Sequence, residues 1–334
     1  MARGMPSIGI EQLRFLQSLC VRFTSTFLGP RPASALSKIG CLALFAALSC
    51  SLSSGVCAIA LGGDIGDLVV RTTPPARSPS EIPFKAYQDY LIVVDGKIGN
   101  LEHLNLLLDT GSNPSMIDRS VSTRLGLQGI SRGLSLFNTS VASESVTLPD
   151  IQFGPMQRQK LPVMVVDLSA IGKGLGTHID AVIGMDVLGR TNFTVDYAKR
   201  RVLFGASTER HTAPFSAGPQ FLTVNMKSGG RQLHLLLDTG TPQLVLFESR
   251  LRGMDYQWTS VVGTGQNASG KVRFAAIILP DARIGALDVG PQRASVVANQ
   301  RSVENELDGL MGLSCLHPKQ ISFDFDRQLL GWSD

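Results

Sequence analysis

The stretch His103–Ser112 reads HLNLLLDTGS, and Gln232–Thr241 reads QLHLLLDTGT. Each is an apolar run that ends in Asp-Thr-Gly, with Asp109 and Asp238 129 positions apart. Three successive leucines bury a strand on both faces, so the aspartate that follows is fixed at the end of a rigid element. Gly111 and Gly240 carry no side chain and let two such turns approach closely. Thr110 and Thr239 each bring a hydroxyl able to reach backbone groups of the opposite turn. Two carboxylates within hydrogen-bond distance cannot both ionise cheaply, so they hold one proton between them, and one acts as base while the other acts as acid. Asp109 and Asp238 are therefore the candidate catalytic pair, with Thr110, Gly111, Thr239 and Gly240 as its supports.

Working outward, the surrounding text repeats as well. Asp180–Asp186 (DAVIGMD) stands opposite Asp308–Ser314 (DGLMGLS), and Phe193–Tyr197 (FTVDY) opposite Ile321–Phe325 (ISFDF), each at an offset of 128. One residue of drift over that distance predicts two homologous units with their internal order preserved. The pattern within each unit is that of strands. Tyr90–Asp95 and Leu104–Leu108 are joined through Gly96, Phe221–Met226 and Leu233–Leu237 through Ser228–Gly230, and further β-type runs fall at Leu161–Val166, Arg201–Phe204, Val272–Leu279 and Ala294–Ala298. Helical periodicity is confined to short stretches such as Ser115–Leu125. The expected fold is all-β.

The chain of 334 residues has 43% apolar and 17% charged residues, which suits a globular protein with a sizeable core. Its net charge of +4 resides in residues 1–60, where Arg3, Arg14, Arg22, Arg31 and Lys38 outnumber Glu11. The remainder has 26 residues of each sign, so a nucleic-acid partner has no electrostatic support. The basic segment precedes the uncharged stretch Ile39–Leu61, with Ala58, Ile59 and Ala60 in an A-x-A pattern, and reads as an export signal. The alternative is an uncleaved membrane anchor at 39–61. Residues 61–84, with Pro74, Pro75, Pro79 and Pro83, read as a linker or propeptide. The first unit is expected at 85–208, a linker at 209–218 and the second unit at 219–334. Four of the five cysteines fall in or before the signal, leaving Cys315 in the body, which excludes a disulfide framework.

On these motifs the sequence resembles the aspartic proteases, specifically the retropepsin-like branch, over roughly residues 85–332. In that family an apolar-apolar-Gly segment packs beneath each active-site turn, and Val182, Ile183, Gly184 and Leu310, Met311, Gly312 stand where it is required. The resemblance implies two β-barrel lobes related by a pseudo-twofold axis, with a cleft between them and no cofactor or metal. Retropepsins assemble the pair by dimerisation, whereas this chain would supply both halves itself, as a monomer. Glycine-rich flap hairpins cover the family's cleft. Gly263–Gly270 (GTGQNASG) fits the second flap, so Gly263, Thr264 and Gly265 are substrate-binding candidates. The first flap, near Asn138 and Thr139, has no glycine, and neither carries the tyrosine typical of pepsins.

The implied function is an exported aspartic endopeptidase acting on extended polypeptides. An envelope-tethered peptide-binding or scaffold protein that keeps the fold without cutting is the alternative. Asp180, Asp308, Asp196 and Asp324 also recur, but aspartate commonly caps backbone amides at strand ends, and that is the expected role here. Asp186 faces Ser314 in the alignment and so lacks the symmetry of a pair. The five histidines show no ligand spacing. Cys315, between Leu313 and Leu316 on an apolar stretch, reads as a small buried group.

Overall fold

A computed structural model describes residues 80–136, 139–205, 209–218, 221–267, 270–298 and 307–333. The expected signal, residues 61–79 of the expected linker, and Asn138 lie outside the described residues. Strands dominate, as the sequence pattern predicts.

The first part of the chain forms β1 (Ser80–Tyr87), β2 (Leu91–Ile98), β3 (Leu101–Leu108), β4 (Met116–Asp118), the hairpin β5 (Ile130–Leu136) and β6 (Thr139–Phe153), β7 (Met156–Val166), β8 (Ala181–Ile183), β9 (Phe193–Asp196) and β10 (Arg201–Phe204). Three short helices interrupt it: α1 (Arg119–Arg124), α2 (Ser169–Leu175) and α3 (Met185–Leu188). The second part forms β11 (His211–Ala217), β12 (Leu222–Ser228), β13 (Arg231–Leu237), β14 (Leu244–Phe247), the hairpin β15 (Gln257–Asn267) and β16 (Gly270–Leu279), β17 (Arg283–Ile284), β18 (Leu287–Asp288), β19 (Gln292–Val297), β20 (Gly309–Met311), β21 (Gln320–Asp324) and β22 (Leu329–Ser333).

The leucine runs behave as their composition requires. Leu106 and Leu108 of β3 face the main core, Leu107 faces a smaller cluster with Val93, Met116 and Val182, and all are almost fully buried. Leu235 and Leu237 of β13 likewise face the main core, while Leu236 joins Val245, Phe247, Phe274 and Leu310 on the other face. Burial on both faces fixes register, because a slip of one residue gains nothing and breaks the ladder.

Each aspartate-bearing strand runs parallel to a short strand lodged beside it. β3 pairs with β8 (Leu106↔Ala181, Leu108↔Ile183), and β13 pairs with β20 (Leu235↔Gly309, Leu237↔Met311). β8 and β20 are in turn antiparallel to β4 and β14. The expected helix at Ser115–Leu125 is thus corrected to β4 followed by α1. Met116 and Ile117 are claimed by the sheet, and the helix starts only where Asp118 accepts a bond from Ser120 N–H.

A separate antiparallel sheet joins the two parts in the order β1, β10, β9, β21, β22, β11. At its centre β9 meets β21, with the rings of Phe193 and Phe323 stacked 4.6 Å apart. Its two edge strands each serve a second sheet. β1 follows β10 as far as Pro83 and then pairs with β2 from Phe84, while β11 follows β22 as far as Pro214 and then pairs with β12 from Phe215. Residues 209–218, expected as a linker, therefore carry a strand, and a boundary drawn at residue 84 cuts through β1. Proline has no N–H to give the ladder, so it sits where an edge strand leaves one sheet for another, rather than ending the strand.

Candidate active site

The two Asp-Thr-Gly turns meet. Thr110 N–H donates to Thr239 Oγ1 (3.0 Å), and Thr239 N–H donates to Thr110 Oγ1 (3.1 Å). The same hydroxyls donate onward across the interface, Thr110 to the Leu237 carbonyl (2.9 Å) and Thr239 to the Leu108 carbonyl (3.2 Å). All four bonds are buried, where an unmade one would cost about 1–3 kcal/mol. Each threonine thus satisfies the backbone of the other turn.

That closure sets the aspartates against each other. Their carboxyl groups lie within hydrogen-bonding reach, and both residues are fully buried. The glycines make the approach possible. A methyl group on Gly111 would stand 2.6 Å from the Asp238 carboxyl carbon, and one on Gly240 would stand 3.0 Å from that of Asp109. On the chain side, Asp109 N–H donates to the Ile183 carbonyl (2.9 Å) and Asp238 N–H to the Met311 carbonyl (3.0 Å), so β8 and β20 anchor the turns from below. Gly184 and Gly312 follow these strands where any side chain would collide with the carbonyls of Ser112 and Thr241.

Each carboxylate is held at both oxygens. Asp109 accepts from Gly111 N–H (2.8 Å) and Ser112 Oγ (2.9 Å), and Asp238 accepts from Gly240 N–H (2.7 Å) and Thr241 Oγ1 (2.7 Å). Ser112 and Thr241 were not among the sequence-derived site residues, although a hydroxyl after Asp-Thr-Gly in both copies is a visible signal. Burial, then the neighbouring Asp238 carboxyl, holds Asp109 well above its ordinary carboxylate value, against the bonds from Ser112 and Gly111. A carboxyl raised in this way keeps a proton in water far less acidic than an isolated aspartate requires. The arrangement can hold one acid and one base side by side.

The recurring aspartates outside the pair serve the backbone. Asp180 accepts from Asn105 N–H (2.9 Å) and Asp308 from His234 N–H (2.7 Å). Asp196 accepts from Lys199 N–H (2.8 Å) and Asp324 from Arg327 N–H (2.9 Å). Cys315 is buried, and that burial pushes its thiol up to about 12, which leaves it un-ionised at neutral pH. Among the described residues no group of three or more His, Cys, Asp or Glu side chains has an arrangement that could hold a metal ion. No helix of the described residues is long and apolar enough to cross a membrane.

Of the flap candidates, Gly263 lies in β15 opposite Phe274 of β16 and is buried; its missing side chain makes room for the Phe274 ring. Thr264 and Gly265 continue β15, and Thr139 opens β6 opposite Leu136. β15 also packs against α2 of the first part. Phe274 was not singled out from the sequence; an aromatic residue opposite a strand glycine is the signal that could have found it.

No curated protein matches the chain. Residues 94–187, which hold Asp109, Thr110, Gly111 and the supporting Gly184 but not the second Asp-Thr-Gly, match the family of aspartyl proteases.

Proposed function

We propose that the protein is an exported aspartic endopeptidase, built from two duplicated retropepsin-like lobes that pair within one chain around a shared cleft. The observation that carries this reading is the reciprocal threonine network, which holds two buried carboxyl groups face to face. The recurrence of the β3–β8–β4 arrangement in β13, β20 and β14 supports the duplication. The basic and uncharged segments before residue 62 support export.

In this reading the pair holds one proton. The ionised member takes a proton from a water lying between the carboxyls, and the oxygen of that water attacks the scissile carbonyl carbon. The protonated member donates its hydrogen to the carbonyl oxygen as charge develops there. As the tetrahedral gem-diol collapses, one of its hydroxyls returns a proton to the ionised member of the pair, the C–N bond breaks and the leaving amine takes the proton of the other member, so one proton is left on the pair. An extended substrate would lie between the lobes and pair its backbone with the flap hairpins.

The test is to incubate purified protein with a denatured protein mixture from pH 3 to 8 and to identify new termini by mass spectrometry. Cleavage greatest in acid to mildly acid solution is expected. Asp109→Asn and Asp238→Asn should each reduce it by more than about a hundredfold. Full cleavage by either single variant would refute the shared-proton pair.

A further inference from the structure

The segment that follows the Asp109 turn is bound by a third carboxylate, that of Asp186, whereas the corresponding position behind the Asp238 turn is Ser314. Asp186 lies in α3, two residues after Gly184. Its carboxylate accepts the Ser115 N–H at 3.1 and 3.0 Å and the Ser115 hydroxyl at 2.6 Å. That hydroxyl also accepts the Gly184 N–H at 2.9 Å. At the near end of the same segment, Met185 N–H donates to the Ser112 carbonyl at 2.8 Å, and the Ser112 hydroxyl donates to Asp109 Oδ2 at 2.9 Å. Residues 112 and 115 are therefore both tied to residues 184–186, and Ser115 is only 1% exposed.

In the second part, Leu244 occupies the place of Ser115 and Ser314 the place of Asp186. Leu244 has no side-chain polar group to bind, and Ser314 donates instead to the Pro242 carbonyl. The half-buried Asp186 carboxylate also receives backbone bonds from its own helix start at Asp186 and Val187, but its bonds to Ser115 are the ones that reach across to the segment after the Asp109 turn. Burial raises the Asp186 carboxyl above its ordinary value while the Ser115 bonds oppose the shift.

Resting on the protease reading above, we propose that Asp186 is a positioning residue that fixes the Asp109 turn through Ser115. It acts as an acceptor rather than as a charge. Both the N–H and the hydroxyl of Ser115 reach Oδ1, so the single carbonyl oxygen of an asparagine can receive them, whereas alanine offers nothing. Catalysis is sensitive to such supports because small misplacements of a reacting group are amplified in rate.

The experiment compares the full chain with Asp186→Ala, Asp186→Asn and Ser115→Ala. It measures kcat and KM on a peptide taken from an identified cut site, and amide hydrogen exchange by mass spectrometry. Asp186→Ala should lower kcat about tenfold with KM within about twofold, and should speed exchange around residues 112–116 but not around 241–245. Asp186→Asn should recover both to within about threefold of the parent, and Ser115→Ala should reproduce the Asp186→Ala defect without emptying the carboxylate's position. Parent-like kcat and exchange in Asp186→Ala would overturn the proposal, as would an Asp186→Asn as impaired as Asp186→Ala. Should Asp186→Ala fail to fold, Ser115→Ala and Asp186→Asn decide by the same criteria. Should the parent itself cut nothing, the protease reading falls, and the exchange comparison still decides what Asp186 holds.

Discussion

The Asp109 carboxyl is buried beside a second carboxyl, and its protonated form is favoured by both circumstances. Its folded-state pKa lies above the ordinary 3.8, so the folded protein binds more protons than the unfolded chain over the intervening range. The contribution of this group to stability is whole below the unfolded value and is lost as pH rises through the folded one. Asparagine keeps the shape and never ionises. We therefore expect Asp109→Asn to raise the thermal midpoint at pH 7, with the gain shrinking towards pH 3, as measured by scanning calorimetry at both pH values. An equal midpoint at pH 7 would mean the carboxyl is not held away from water as described. Inactivation with a gain in stability is the mark of a group kept for chemistry. At this scale the sequence was most readable: Asp109, Thr110 and Gly111 recur as a string, and each has a task that its side chain alone announces. Asp186 was not, since its partner Ser115 is 71 positions away and its counterpart Ser314 removes the symmetry that exposed the rest.

Among the elements, β8 and β20 do the most with the fewest residues. Each is three residues long, lies parallel to an aspartate-bearing strand, and is followed by a glycine against the turn. Gly312 has the Pro242 carbonyl carbon and the Gln243 nitrogen 2.6 Å from where a Cβ would stand. Gly312→Ala should cost about 1–3 kcal/mol by overpacking and reduce turnover by displacing the Asp238 turn. Gly174→Ala, where nothing lies within 4 Å, should change neither. Urea midpoints and kcat for the two variants check this, and equal behaviour would show that the turn tolerates the push. Strand positions such as Arg201–Phe204 were legible from composition. Two readings failed for one physical reason: local signals were overridden by sheet formation. Met116 and Ile117 fit a helix by periodicity but belong to a sheet that buries both, and Pro83 and Pro214 suggest linkers but sit inside strands that change partners. The Pro-Phe pairs at 83–84 and 214–215 are themselves a repeat. Phe84 N–H and Phe215 N–H donate to the Arg200 and Gln328 carbonyls, each at 3.0 Å.

At the scale of the whole molecule, the sheet that joins the two parts governs whether the threonines can meet. Its central strands bury Val195, Ile321, Phe193 and Phe323, with Trp332 in the neighbouring strand. Truncating an aromatic residue in such a core typically costs about 3–5 kcal/mol. We expect the protein to unfold in one transition, and Phe323→Ala to lower its stability by about that amount without splitting the curve. Urea unfolding followed by far-UV circular dichroism and by tryptophan fluorescence would test this, and non-coincident curves would mean that the parts melt independently.

The strands β4 and β14, which follow the two aspartate-bearing turns, end differently in the two parts. Where the first part has Asp118 capping α1 and binding the Leu168 amide, the second has Phe247 packed with Phe274 and Leu310. Two identical halves would accept a peptide in either direction, since rotating it end for end would restore every contact. Unequal halves remove that equivalence, so on the proposed protease reading a bound polypeptide would have a preferred polarity.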